Sequence, residues 1–201
     1  MKKIILLAVA CITSAGAYAQ VFQHGAGVGI YFDKIKDFNA RTSIALAYNP
    51  RINFAETESR CFSIGVPISA GFSGDYKATY GIYDKNRSSH TVGYMISAPI
   101  VLSLNFGGGS SKQNKKRFGG FVGAGYGYYR TNKVHYAFNT EDNNQIVLML
   151  GSSTMGATAN TGVRIGTGKD NKENIELRVS YYRGTANYRN DVYGLVTAYN
   201  F

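Results

Sequence analysis

Successive residues of a β-strand point to opposite faces, and in this chain apolar side chains keep that period of two in eight separate stretches. The first sets Ala26, Val28, Ile30 and Phe32 against Gly25, Gly27, Gly29 and Tyr31. The second sets Ile44, Leu46, Tyr48, Ile52 and Phe54 against Ser43, Ala45, Ala47, Asn49, Arg51 and Asn53. The same rhythm runs from Phe62 to Phe72, Val92 to Phe106, Phe118 to Tyr128, Ala157 to Ile165, Ile175 to Tyr181 and Tyr193 to Phe201. A helix cannot present such a pattern as one face, so the chain reads as all-β.

Alternation does not say whether the apolar face meets a core or lipid. The opposite face decides it, because Gly, Ser, Ala and Asn dominate there, which suits a crowded narrow lumen. A face turned to water would carry many more Lys and Glu side chains. Aromatic residues also mark both ends of the strands: Phe62 and Phe118 begin runs that Phe72, Tyr126 and Tyr128 finish, and Tyr94 and Tyr193 begin runs that Phe106 and Phe201 finish. From Phe62 to Phe72 is about 33 Å of strand, which a tilt of roughly 40° reduces to about 25 Å, the height of a lipid-facing apolar band.

The ends of the chain agree with export. Lys2 and Lys3, the apolar run Ile4 to Ile12 and the small-residue site Ala17-Tyr18-Ala19 read as a secretory signal, residues 1–19, cleaved before Gln20. Residues 20–201 then form one domain, long enough for eight strands of about ten residues. Cys61 is the one cysteine expected to remain, so no intramolecular disulfide is available. Lys and Arg total 22 against 12 acidic residues; losing Lys2 and Lys3 lowers the formal net charge from +10 to +8. The basic residues sit mostly in connections, such as Lys112, Lys115, Lys116 and Arg117, which favours anionic lipid or cell-wall polymer over nucleic acid.

The chain resembles the outer-membrane β-barrel protein family, porin-like in the broad sense, through GGFVGAGYGYY, ELRVSYYRG and VYGLVTAYNF. The resemblance implies an eight-stranded antiparallel transmembrane barrel in the outer membrane of a Gram-negative cell envelope. It also implies contact with outer-membrane lipid and lipopolysaccharide. The last strand, with Tyr193, Leu195, Tyr199 and Phe201, would be read by the barrel-insertion machinery.

With both ends periplasmic, short turns are expected near Glu56 to Ser59, Gly107 to Lys116 and Gly166 to Asn174. Loops near Asp33 to Ala40, Ser73 to His90 and Gly184 to Asn190 would face outside. The connection between the fifth and sixth strands differs. A turn at Glu141 and Asp142 pairs Tyr136 with Val147 and Val134 with Met149, and Phe138 prolongs the same face. An extended extracellular hairpin is predicted, rising some 20 to 30 Å above the outer belt. Pro50, Pro67 and Pro99 fall inside strands and predict local bulges or bends.

Charged side chains on the lumen face are few: Arg51, Arg164, Glu176 and Arg178. A turn near Asp170 sets Arg164 opposite Glu176, so an ion-pair cluster is expected, acting as a structural plug rather than a gate or proton path. The histidines, His24, His90 and His135, are scattered. Asp84, Ser88, Ser89 and His90 could be drawn into a triad, but neighbours on one loop rarely supply its geometry. GTGKD at 166–170 lacks the phosphate-loop spacing, and no Cys or His pair has metal spacing. No enzyme, cofactor or metal is therefore expected. The leading function is surface interaction, adhesion or envelope integrity, with an extracellular protein or glycan as the hairpin's partner. A narrow channel for small or apolar solutes and a lipid-modifying enzyme are the alternatives.

Overall fold

The computed structural model describes residues 21–35, 40–81, 84–111, 114–139, 144–167, 173–185 and 190–201. The signal segment, with Ala17, Ala19 and Gln20, lies outside them. Among the described residues eleven strands follow in order: β1 (Val21–Gln23), β2 (Gly25–Ile35), β3 (Arg41–Tyr48), β4 (Arg51–Phe54), β5 (Arg60–Gly65), β6 (Ile68–Gly81), β7 (Asp84–Gly107), β8 (Phe118–Asn139), β9 (Asn144–Thr167), β10 (Glu173–Gly184) and β11 (Asn190–Asn200). All pairings are antiparallel, and the pairing of β7 with β8 closes the sheet. The result is an eight-stranded barrel, because β1 with β2, β3 with β4, and β5 with β6 each form one interrupted barrel strand. Closure leaves no open edge in the barrel wall.

Two of the interruptions carry a proline. Asn49-Pro50 separates β3 from β4, and Val66-Pro67 separates β5 from β6. Proline cannot donate to a ladder, so pairing lapses there, although the Val66 amide still donates to the Pro50 carbonyl at 3.1 Å. Pro99 stays inside β7, beside the gap between β5 and β6 and opposite Gly127 of β8. The three prolines therefore fall on one seam across three adjacent barrel strands, two of them at interruptions and Pro99, against the expected bulge or bend, within an unbroken β7–β8 register. A Cβ at Gly127 would overlap Pro99, so the bare backbone is what lets β8 lie against the seam.

Burial is inverted relative to a water-soluble domain. Apolar side chains line the outside, with Leu46 72% and Phe72 70% exposed, while Asn53, Ser63, Asn105, Arg164, Asn174 and Glu176 are buried within. Alternation places every member of the expected apolar faces that the structure describes on the outer wall. Tyr193, Leu195, Tyr199 and Phe201 face outward from the last strand, which β2 and β10 flank. The Phe201 amide donates to the His24 carbonyl at 2.9 Å and the two rings lie 4.4 Å apart, so the chain end is stitched to the first barrel strand.

The connection from Ser73 to His90, expected as an outer loop, is instead mostly paired strand. β6 and β7 stay in register from Ser69 opposite Ser97 to Gly81 opposite Asp84, with one irregularity near Thr79. Its polar and charged composition hides the period of two that marks the other strands. The β8–β9 ladder runs from Phe118 opposite Ile165 to Asn139 opposite Asn144, and it pairs Val134 with Met149, Tyr136 with Val147 and Phe138 with Gln145. Residues 140–143 lie outside the described residues.

Candidate functional site: a doubly sealed polar lumen

Residues of one parity on each barrel strand converge in the lumen, and two layers of polar side chains cross it. The first layer centres on Glu176 of β10, which is 0% exposed. The register sets it opposite Arg164 of β9, as the turn around Asp170 predicts. Its Oε2 accepts from Arg164 Nε at 2.8 Å, Arg51 Nη1 at 3.2 Å and Asn200 Nδ2 at 3.3 Å; its Oε1 accepts from Arg178 Nε at 2.9 Å and Nη2 at 2.5 Å. Arg51, Arg164, Glu176 and Arg178 thus come together as one cluster.

Three guanidinium groups share one carboxylate, and uncharged groups spread the surplus. Gln23 Oε1 accepts from Arg51 Nη2 at 2.7 Å and Nε at 3.0 Å, and from Asn53 Nδ2 at 3.2 Å. Asn105 Oδ1 accepts from Arg164 Nη1 at 2.8 Å. The Phe121 ring lies 4.4 Å from the Arg164 guanidinium carbon, with the electron-rich face toward the cation. Sequence reasoning did not find Gln23, Asn105 and Phe121. Each is a lumen-parity residue of large or polar type among small ones, which is the signal that could have drawn attention to them.

A floor lies below this cluster. The connection after β7 turns inward, burying Ser110, Ser111 and Asn114. Gly107 and Gly109 hold φ of 71° and 70°, a left-handed conformation that favours glycine. A Cβ at Gly109 would sit 2.9 Å from Asn174 Nδ2, so this tight inward turn also depends on the missing side chain.

The second layer lies toward the far end. Tyr129 of β8 donates from its hydroxyl to Asp33 Oδ2 of β2 at 3.0 Å, across the lumen. The Tyr182 hydroxyl donates to the Thr154 carbonyl at 2.9 Å, and its ring lies 5.5 Å from that of Tyr129. Arg41 of β3 reaches over to the point where β7 and β8 part. Its Nη1 donates to the Asn132 carbonyl at 2.6 Å and its Nη2 to the Tyr94 carbonyl at 3.2 Å and to Thr131 Oγ1. The Tyr94 amide donates to Asn132 Oδ1 at 2.6 Å. Met95 opposite Thr131 is the last β7–β8 pair, so side chains satisfy backbone groups that a further ladder pair would have used. Asn132→Ala should leave the part-buried Tyr94 amide without that acceptor and lower stability by about 1 kcal/mol, measured by urea unfolding in vesicles.

Between the layers the lumen holds cavities of about 20 and 30 Å³, which share Pro67, Asn160 and Arg178 as lining. Each has room for only one or two water molecules. Cys61 is buried on this side, where its carbonyl accepts from Asn105 Nδ2 at 3.3 Å. His24 lies instead in the aromatic rim, its Nδ1 3.3 Å from the Tyr48 hydroxyl. The side chains of Asp84, Ser88, Ser89, His90, Val134, His135, Tyr136, Phe138, Val147 and Met149 lie outside the described residues.

No protein-family model matches the sequence, and no curated protein matches it. Solved structures do resemble the fold. Neisserial surface protein A matches at 10% identity over 90% of this chain and 97% of that chain, with a TM-score of 0.55. The attachment invasion locus protein of Yersinia pestis, in complex with the heparin analogue sucrose octasulfate, matches at 10% identity over 90% and 98%, with a TM-score of 0.49. The outer membrane protein OprG from Pseudomonas aeruginosa matches at 11% identity over 90% and 95%, with a TM-score of 0.43. At these identities the likeness is one of architecture: the chain has the closed, eight-stranded barrel fold seen in Neisserial surface protein A.

Proposed function

We propose that this protein spans the outer membrane as a non-enzymatic barrel whose work is surface interaction, done by the strands that rise above the wall. The observation that carries the reading is the inverted burial: an apolar wall encloses a polar lumen crossed by two hydrogen-bonded layers. An apolar wall of that extent is stable only against lipid. A lumen closed twice leaves no solute path, which weighs against a channel. With chain ends and the short connections periplasmic, the β6–β7 and β8–β9 hairpins face outside.

Above Met95 and Thr131 the β7 and β8 edges separate, and each hairpin there carries backbone groups on strand edges. An extended segment of an extracellular protein can add to such an edge through main-chain hydrogen bonds, and a glycan can bridge between the hairpins. Deleting residues 133–150 tests this. The barrel is expected to keep its heat-modifiable electrophoretic mobility, because the β7–β8 closure and the lumen layers lie below the cut. Adhesion of displaying cells to immobilised matrix proteins and glycans is expected to fall to background. Adhesion that survives in a normally folded deletion variant removes the hairpin from the function.

A further inference from the structure

The arginine cluster holds more positive charge than its neighbours offset. Arg51, Arg164 and Arg178 are all buried, and among the described residues Glu176 is the one carboxylate that pairs with them, so two positive charges are left over. A guanidinium keeps its proton at neutral pH, which means that the excess cannot be shed by deprotonation. Charge buried without a counter-charge is strongly destabilising.

Glu176 has no capacity left to absorb it. Its two oxygens already accept five hydrogen bonds, against roughly four lone-pair sites on a carboxylate. Among the described residues the three guanidinium groups donate seven bonds, fewer than half of their roughly fifteen N–H groups. Arg178 gives Nε and Nη2 to Glu176, which leaves Nη1 for another acceptor.

The smaller lumen cavity lies where such an acceptor is needed. Its volume is about 20 Å³, and Arg51, Arg164 and Arg178 all line it, together with Ser63, Ser103 and Asn160. The Ser63 hydroxyl accepts from Asn105 Nδ2 at 2.9 Å and so still has its own O–H to donate. The space admits one body of about the size of a water molecule. Water there would accept from one or two N–H groups and leave both excess charges uncompensated. One monovalent anion accepts from several donors at once and cancels half of the excess. Phosphate, sulfate and larger organic anions exceed the volume.

We infer that this cavity binds one small monovalent anion, chloride in ordinary salt, held by Arg51, Arg164 and Arg178. The floor below and the Tyr129–Asp33 layer above close the approach, so the anion is taken up as the barrel folds. The site does not depend on what the hairpins bind.

The test follows urea unfolding of the full chain in phosphatidylcholine vesicles while chloride replaces gluconate, from about 10 mM to about 1 M at fixed ionic strength. Gluconate is too large for the cavity. Above its dissociation constant, one bound chloride should lower the unfolding constant about tenfold for each tenfold rise in chloride. Arg178→Met removes a donor fork and one excess charge and should flatten the response. Arg178→Lys keeps the charge and should retain the response with an onset at higher chloride. Arg60→Gln, an exposed arginine away from the lumen, should match the wild type. The response is read within each variant, so a general loss of stability does not imitate it. Crystals of wild-type chain refolded in sodium bromide should show an anomalous peak at hydrogen-bond distance from Arg178, a readout that needs no variant to fold. A flat wild-type response, or no bromide peak in the cavity, assigns the space to water and overturns the site. Equal slopes in wild type and R178M make the response a bulk salt effect and overturn it as well.

Discussion

Replacing Glu176 with Ala is expected to lower the unfolding free energy by about 3–5 kcal/mol, the cost of stripping the partner from buried charges. The lumen concentrates that cost. Arg51, Arg164 and Arg178 all donate to this one carboxylate, and each is nearly excluded from solvent. Removing it leaves three cations facing one another, with Gln23 still accepting from Arg51, Asn105 from Arg164, and the Phe121 ring beside Arg164. Glu176→Gln should cost less, because an amide oxygen still accepts. E176A/R178M should recover part of the loss by removing one surplus cation. The midpoint of urea unfolding in lipid vesicles reads these differences. No new ion conductance is expected for E176A in planar bilayers, because Tyr129–Asp33 and the Arg41 contacts close the lumen at a second level. Conductance in E176A would identify the cluster as the gate and sink the structural-plug assignment. A loss below about 1 kcal/mol would place the cluster in water rather than in a packed lumen.

The barrel was legible in the sequence because lipid and lumen impose the same parity on every strand. A wall residue such as Ile100 and a lumen residue such as Val101 need only their neighbours to be told apart, even though both are apolar. The pairing of Arg164 with Glu176 was legible for a related reason: the turn between β9 and β10 is short, so its position fixes the register. The same logic fixed Val134 opposite Met149 and Tyr136 opposite Val147.

What was not legible depends on contacts across the barrel rather than along it. Arg41 meets Tyr94 and Asn132, and Tyr129 meets Asp33, only after closure and strand tilt bring distant strands to one height, whereas Gln23 is the direct ladder partner of Arg51. Local alternation carries no information about that. The inward floor at Ser110 and Ser111 was likewise hidden, since a glycine-rich connection reads the same whether it turns out or in. The β6–β7 extension was missed because Asp75, Lys77, Lys85 and Arg87 put charge on one set of alternate positions, while the other set mixes Tyr76 and Ala78 with Asn86, Ser88 and His90.

The strongest discrimination between lipid and water outside the barrel is a charge at mid-height. Ile100 lies midway along the outward run of β7, between the rim residues Tyr94 and Phe106, and is 58% exposed. In a water-soluble barrel, Ile100→Arg would be neutral or would aid solubility. Facing the bilayer midplane, it should cost about 2–4 kcal/mol, whereas Phe106→Arg at the rim should add at most about 1 kcal/mol from charge. The comparison controls for lost strand propensity and side-chain area, because both changes remove a large apolar residue from one face of one strand. Reversible unfolding in vesicles gives both values. Thinner-chain lipids should shrink the gap by bringing the interface nearer to position 100. Equal small effects at 100 and 106, independent of lipid thickness, would mean that water wets the outer wall and that the inverted burial has another cause.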